Sequence, residues 1–402
     1  MKRRRVKITG IGPVTPAGIG RDEFWKGILE PVSRIRPYGK LGDEYGPLVA
    51  AYVDPFDIRK YVDFTKVPKG ASKQTLFAIA GAALALKDAG ISQDELSNAS
   101  CAVVTGASLM DFGGILESVD AVFKHGSRGA KPRKIYTTNP SSTPGSIGET
   151  LGFTARTMAI QSACCAGLDA IGYAAGLVAD GEVDLAICGG TETPLVRCPL
   201  LELRAAGLTP PTSEMPERLD RPFDLWRTTG VVSEGACMFV IEPETSRRQG
   251  YSYIAGYGFA NDEADDLCGG LRLSTKLALA DAGIRPSQIE SISAWGPGHK
   301  LIDAAETRVL QDIFGSILPE IPVVSIKGSI GTPLGAAPAI QIAAASLGQR
   351  HGLIPPTVNW DYPDPACRLN LSNRFRTVAH ACTLVNAHGL GGLNASLILE
   401  RC

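Results

Sequence analysis

Short apolar runs alternate with longer Ala-rich stretches along this chain, and that alternation predicts an α/β architecture. Val6-Lys7-Ile8 opens a strand that runs into Gly10-Ile11-Gly12. Residues 78–89 have helical spacing and stop at Gly90. Residues 101–104 and 158–161 read as strands. A helix from about 167 to 179 follows the second of them and stops at Gly181. Residues 183–188 form another strand, which ends at Gly189-Gly190. The predicted strands are apolar on both faces, as in a sheet covered by helices on each side. Two stretches, about 107–146 and 190–230, are long and irregular, and segments of that size read as functional caps.

An internal repeat divides the chain. Leu84-Ala85-Leu86-Lys87-Asp88-Ala89-Gly90-Ile91 recurs as Leu277-Ala278-Leu279-Ala280-Asp281-Ala282-Gly283-Ile284. Each copy leads through a polar turn into an apolar strand, at Cys101 and at Ile292. Upstream, Gly10-Ile11-Gly12 is echoed by Gly256-Tyr257-Gly258. The matching order predicts two duplicated halves, 1–248 and 249–402, that meet at the polar segment 244–250.

Composition narrows the function classes. The 402 residues carry 40 Lys plus Arg against 41 Asp plus Glu, a net charge of -1. Without a basic surplus, neither a nucleic acid nor an anionic membrane is an expected partner. Hydrophobic residues at 44% and charged residues at 20% describe a folded chain. No apolar run approaches the roughly 20 residues needed to cross a bilayer. The basic start is followed by an apolar run cut by Gly10, Gly12 and Pro13, which is a poor signal peptide. The ten cysteines include no C-x-x-C pair and read as reduced thiols in a cytoplasmic protein. None of the five histidines stands at ligand spacing from a cysteine pair, so no metal is expected. Gly10 to Thr15 fails the dinucleotide fingerprint because its sixth position is Thr.

Candidate chemistry concentrates in Ser162-Ala163-Cys164-Cys165-Ala166-Gly167-Leu168-Asp169. The octapeptide joins a strand to a helix. A thiol there meets the unpaired amides and positive end of the helix, which favour thiolate. Small neighbours let a substrate come close. These are the features of a nucleophile elbow with Cys in place of Ser. A small buried cysteine in a Gly/Ala-rich turn fits the same octapeptide equally well.

The longer series of motifs resembles the β-ketoacyl-ACP synthases, in particular the elongating branch of fatty-acid and type II polyketide synthesis. Ile8-Thr9-Gly10-Ile11-Gly12 with Thr15-Pro16-Ala17-Gly18 is similar to the family's opening. Ala163-Cys164-Cys165-Ala166-Gly167-Leu168-Asp169-Ala170 resembles its nucleophile motif, and Cys188-Gly189-Gly190-Thr191-Glu192 the strand end after it. Arg221-Pro222-Phe223-Asp224, Glu234-Gly235-Ala236, Pro355-Pro356-Thr357-Val358-Asn359 and the run from Asn386 to Asn394 match later landmarks in the same order. The resemblance implies a thiolase-like α/β fold of five layers, α/β/α/β/α, built from two duplicated halves.

It also implies a division of labour. In the family a Cys takes an acyl chain from an acyl carrier protein, and two His polarise the malonyl thioester while it loses CO2. Cys164 matches the nucleophile. The first His position reads Ala294-Trp295-Gly296-Pro297-Gly298, which puts Trp295 there. The second reads Lys327-Gly328-Ser329-Ile330-Gly331-Thr332-Pro333-Leu334-Gly335-Ala336-Ala337, which puts Thr332 there. Lys327, Asp303 and Glu306 hold register on either side. Lys327 is expected to organise the catalytic hydrogen bonds, and the amides of Cys164 and Leu390 to form an oxyanion hole. His388 falls in the loop beside the acyl channel, and His299 follows Trp295 by about one helical turn; His125, His351 and His380 read as surface or loop residues.

Three functions follow from the resemblance. The chain is a chain-length-factor-like partner of a competent ketosynthase; or Cys164 serves acyl transfer or thioester cleavage; or condensation persists with a modified site. The expected partners are an acyl carrier protein and a second ketosynthase chain, in a homodimer or heterodimer. No cofactor is expected, since acyl-phosphopantetheine arrives on the carrier as substrate.

Overall fold

A computed structural model describes residues 4–402 except Pro211 and Ser213. Ten strands form one path: β1 (Val6–Thr15), β2 (Cys101–Gly106), β3 (Arg156–Ile160), β4 (Leu185–Glu192), β5 (Gly235–Pro243), β6 (Ser252–Asn261), β7 (Ser291–Ser293), β8 (Val323–Val324), β9 (Cys382–Gly389) and β10 (Leu393–Arg401). Their spatial order is β8-β7-β9-β10-β6-β1-β5-β4-β2-β3. From the central β1–β6 pair outward, each half therefore runs first, fifth, fourth, second and third strand. The halves join antiparallel at Val6 opposite Ile254 and Lys7 opposite Tyr253.

Five helices complete the layers: α1 (Lys73–Ala89), α2 (Ala166–Ala179), α3 (Gly269–Ala282), α4 (Lys300–Phe314) and α5 (Ala337–His351). Helix α1 covers the strands of the first half, while α3 covers those of the second and packs with α4. Between them, α2 and α5 touch each other and strands of both halves. This is the thiolase-like arrangement. The shared middle layer is apolar along most of its length, with Leu168, Ile171, Ala174, Ile340, Ile342 and Ala343 wholly buried in one core. Burial of that area stabilises the fold by roughly 25 cal/mol per Å² of apolar surface.

The glycine echo now has a cause. A Cβ at Gly10 would lie 2.1 Å from the Ala85 carbonyl oxygen, and one at Gly12 would lie 1.9 Å from that of Gly81. In the other half, Gly256 and Gly258 approach the Ala278 and Ser274 oxygens just as closely, at 2.2 and 2.3 Å. Only a residue without Cβ lets helix and strand pack at that distance. The glycines thus sit inside β1 and β6 rather than ending them.

Several expectations need correction. Helix α1 begins at Lys73, five residues earlier than the apolar spacing suggested, because the Ser72 hydroxyl caps it on the Thr75 amide. Strand β4 runs through Gly189-Gly190 to Glu192, since those glycines admit Cys237 and Gly335 at close range. Strand β3 is not apolar on both faces: Arg156, Thr157 and Met158 are exposed, because β3 is the free edge of the sheet. The stretch 107–146 is largely helical, with helices Phe112–His125 and Ser142–Leu151, and 190–230 contains helix Arg197–Ala205. His380 is buried rather than on the surface. Among the described residues, no helix is long and apolar enough to cross a membrane, and no cluster of His, Cys, Asp and Glu could hold a metal ion.

Candidate active site

Strand ends from both halves converge on Cys164. The chain leaves β3, turns through Ala163 at φ +48°, and enters α2 two residues after Cys164. A left-handed alanine is costly by about 1–2 kcal/mol, and here it aims the next side chain inward. Gly106, at the end of β2, lets α2 start this close: a Cβ there would lie 2.0 Å from the Ala166 oxygen. Gly389, at the end of β9, does the same from the other half, with its Cβ position 3.0 Å from the Cys164 nitrogen. The next residue, Leu390, turns its backbone N–H toward the Cys164 sulfur.

Cys164 is 6% exposed. Burial, followed by the Glu192 carboxyl, pushes its thiol up to about 11. The Leu390 N–H, the nearby Ser108 hydroxyl and the Lys327 ammonium draw it part of the way back. The expectation that the helix start favours thiolate is thereby corrected, because loss of water around the sulfur outweighs the helix end. Glu192 itself is buried and pushed up to about 8 by desolvation. It accepts hydrogen bonds from the amides of Ser108 (2.6 Å), Leu109 (3.3 Å) and Gly335 (3.2 Å), and so ties segments of the two halves together under the site. Sequence reasoning gave Glu192 no role; an acid closing an apolar strand was the available signal.

The opposite wall begins after β7. The N–H groups of Trp295 and Gly296 both donate to Glu306 on α4 at 2.9 Å. Lys327 is buried beneath Trp295, its Nζ 4.0 Å from the centre of one of the indole rings. It donates to the Trp295 carbonyl oxygen and, at 3.0 Å, to Gln341 Oε1. Burial pulls the Lys327 ammonium down to about 8, while Glu306, Asp220 and Asp303 hold it up. Asp303 is pushed up to about 7 by burial, accepts from the Phe223 amide at 2.7 Å and lies 3.5 Å from Arg227 Nε. Glu306 and Lys327 therefore stand behind the wall and fix the Trp295 backbone, while Asp303 holds the Phe223 amide beside Arg227.

Cys164, Trp295, Thr332, His388 and Leu390 line one cavity of about 70 Å³. Most of the remaining lining is apolar, from Leu203, Leu208, Val232, Ile302 and Leu334. Thr332 is buried, and its hydroxyl has no hydrogen-bond partner among the described residues. His299 also reaches this wall; its Nδ1 accepts from the Ile302 amide at 3.5 Å and so caps α4. Burial, with Arg227 beyond it, pushes the His299 imidazole down. His299, singled out from the sequence for its place after Trp295, does line the cavity; the lining by Leu203 and Leu208 was not foreseen, since each lies far from the motifs.

A buried cysteine thus stands at a strand-to-helix elbow, faced by a backbone amide from the other half of a duplicated thiolase-like fold. The description "Beta-ketoacyl synthase, N-terminal domain" matches residues 3–246, and "Beta-ketoacyl synthase, C-terminal domain" matches residues 251–361. The chain belongs to the β-ketoacyl synthase family. It is 30% identical to the 3-oxoacyl-[acyl-carrier-protein] synthase 2 of Coxiella burnetii, over 100% of this chain and 99% of that one. It is 28% identical to the tetracenomycin polyketide synthase ketoacyl synthase alpha subunit of Streptomyces glaucescens, over 99% and 97%. Among solved structures, the ishigamide ketosynthase/chain length factor superposes with a TM-score of 0.92 at 29% identity, covering all of both chains. The ketosynthase of the complex AntDE:AntF, a type II polyketide acyl carrier protein with its hexaketide-bound ketosynthase, superposes at 0.90 with 25% identity and full coverage of both chains.

Proposed function

We propose that this chain binds acyl groups carried by an acyl carrier protein and works as the partner of a second ketosynthase, without decarboxylating malonyl thioesters itself. One observation carries the reading: Trp295 and Thr332, where the family resemblance calls for imidazoles, both stand on the cavity wall with Cys164. Decarboxylation builds negative charge on the thioester oxygen. Removing one aimed donor there typically costs about 10²–10³ in rate. An indole and a hydroxyl offer one N–H and one O–H, and neither exchanges protons near neutrality.

The relatives' names support the pairing, since one describes a ketosynthase with its chain length factor and another a ketosynthase with its carrier protein. The free edge strand β3, with exposed Met158, and the cap residues Phe123 (88% exposed) and Ile135 (86% exposed) offer surfaces that a second chain would cover. The test is CO2 release from malonyl-ACP by the purified chain, alone and after co-expression with a second, histidine-bearing ketosynthase chain. Release by the chain alone at an ordinary synthase rate overturns the reading.

A second reading is favoured by the Leu390 N–H held against the Cys164 sulfur: Cys164 itself accepts an acyl group. Intact mass of the chain after incubation with acyl-ACP gains one acyl unit on this reading, and Cys164→Ala gains none. A partner-only subunit shows no gain in either.

A further inference from the structure

His388 closes β9 one residue before Gly389 and is buried, yet its ring contributes to the wall around Cys164. Its Nδ1 lies 2.8 Å from Asn394 Oδ1. The orientation of that amide is fixed independently, because Asn394 Nδ2 donates to Asp262 Oδ1 at 2.8 Å and to the Gly392 oxygen at 2.9 Å. Asn394 therefore presents its oxygen, and Nδ1 must carry the proton. Asp262 is anchored in turn by the amides of Cys268 (3.1 Å) and Gly270 (2.9 Å). The neutral His388 ring is thus locked as the Nδ1–H tautomer, with a lone pair on Nε2. Asn394, Cys268 and Asp262 all gather at the Nδ1 edge, and none of them lines the cavity that His388 itself lines.

The same cavity holds what a base would serve. Cys164 is a buried thiol that is protonated at neutral pH and needs its proton removed to attack. Thr332 holds a buried hydroxyl with no partner among the described residues, a ready donor to a water or an acyl oxygen. We propose that His388 Nε2 is the catalytic base of an acyl-thioester hydrolysis at Cys164. The inference rests on the second reading above, that Cys164 accepts an acyl group.

The steps balance without any further reactant. Nε2 takes the Cys164 proton as the sulfur bonds to the thioester carbonyl carbon. The tetrahedral adduct, its oxygen facing the Cys164 and Leu390 amides, expels the carrier thiolate, which takes the proton back from Nε2. A water then attacks the acyl-cysteine and gives a proton to Nε2. The carbon–sulfur bond breaks, the carboxylic acid leaves, and the Cys164 sulfur recovers that proton. The groups that surround the imidazole and set its charge are Asp262 (3.9 Å) and Cys268 (3.8 Å) at Nδ1, with Cys164 and His299 elsewhere on the cavity wall.

The experiment uses the full chain and the S-butanoyl thioester of N-acetylcysteamine, following butanoate release and the mass of the Cys164 adduct between pH 5.5 and 9. Wild type is expected to turn over, releasing butanoate with a transient Cys164 adduct. His388→Ala is expected to lose about 100-fold or more, with partial rescue by added imidazole, which a merely structural role would not give. His388→Gln, which keeps a polar group facing Asn394, carries the same loss without rescue and serves should the alanine variant fail to fold. Variant turnover within threefold of wild type overturns the proposal, as does a wild-type adduct that forms and never hydrolyses. Absence of any wild-type adduct together with absence of release removes the reading beneath it, a result distinguishable from both.

Discussion

In the N-terminal half the chain leaves its third strand, passes Ala163 at φ +48° and presents Cys164 ahead of α2. In the C-terminal half it leaves its third strand, passes Gly331 at φ +72° and presents Thr332 ahead of α5. The fourth strands match as well: β4 brings Glu192 to the site and β9 brings His388. Duplication has supplied equivalent positions, and divergence has filled them with different chemistry. The first half gives a sulfur and a buried acid. The second gives a hydroxyl, an indole and an imidazole held from behind. What the difference teaches is that equivalent strand-end positions of one scaffold can carry a thiol in one copy and a hydroxyl in the other without loss of the shared fold.

Restoring imidazoles to the second half is the strongest way to break this comparison. The double variant Trp295→His, Thr332→His is expected to raise CO2 release from malonyl-ACP by about 10²–10³. A wild-type rate already equal to that of the variant would mean the second half is not the deficient one.

Glu192 probes the first half. Its folded-state pKa of about 8 lies above the ordinary 4.5, so the folded state holds that proton more tightly. The stability this contributes is complete below pH 4.5 and is lost as pH rises through 8, at up to about 1.4 kcal/mol per pH unit. Glu192→Gln cannot ionise, and its melting temperature is expected to decline less over that window. Removing the negative charge also lowers the Cys164 pKa, so iodoacetamide labels Cys164 faster in the variant above pH 8. Identical pH profiles would remove Glu192 from the account.

The glycine pairs sharpen the symmetry itself. Gly12→Ala and Gly258→Ala place a Cβ 1.9 and 2.3 Å from carbonyl oxygens of α1 and α3. Each is expected to cost roughly 1–3 kcal/mol in denaturant unfolding, and by similar amounts. A large cost in one half alone would show that the halves no longer pack alike.

The smallest effect is expected at the elbow. Ala163→Gly, which copies Gly331, should stabilise by up to about 1 kcal/mol by relieving the left-handed alanine, read as a small rise in melting temperature. A loss of stability would mean that the contact between the Ala163 Cβ and Gly389 outweighs the strain.

Much of the candidate site was legible because its side chains lie at strand ends flanked by short recurrent motifs. Cys164, Trp295, Thr332, His388 and Leu390 were each named from such motifs, and the structure brings them to one cavity. The lining by Leu203 and Leu208 was hidden, since a distant segment meets the site there for reasons of volume rather than local pattern. The helices Phe112–His125 and Arg197–Ala205 were read as irregular although the signal was there: Phe112, Ile115, Leu116, Val119, Val122 and Phe123 recur at helical spacing, on a helix that is only partly buried.

The sequence by itself determined the strand-and-helix alternation, the duplication and the identity of the nucleophile candidate, since these follow from local spacing and from side chains that have no substitute. Only the tertiary structure decided the protonation of Cys164, the tautomer of His388 and the place of Lys327 beneath Trp295. Those depend on desolvation and on distances between residues far apart in the chain, and neither quantity exists until the two halves have packed together.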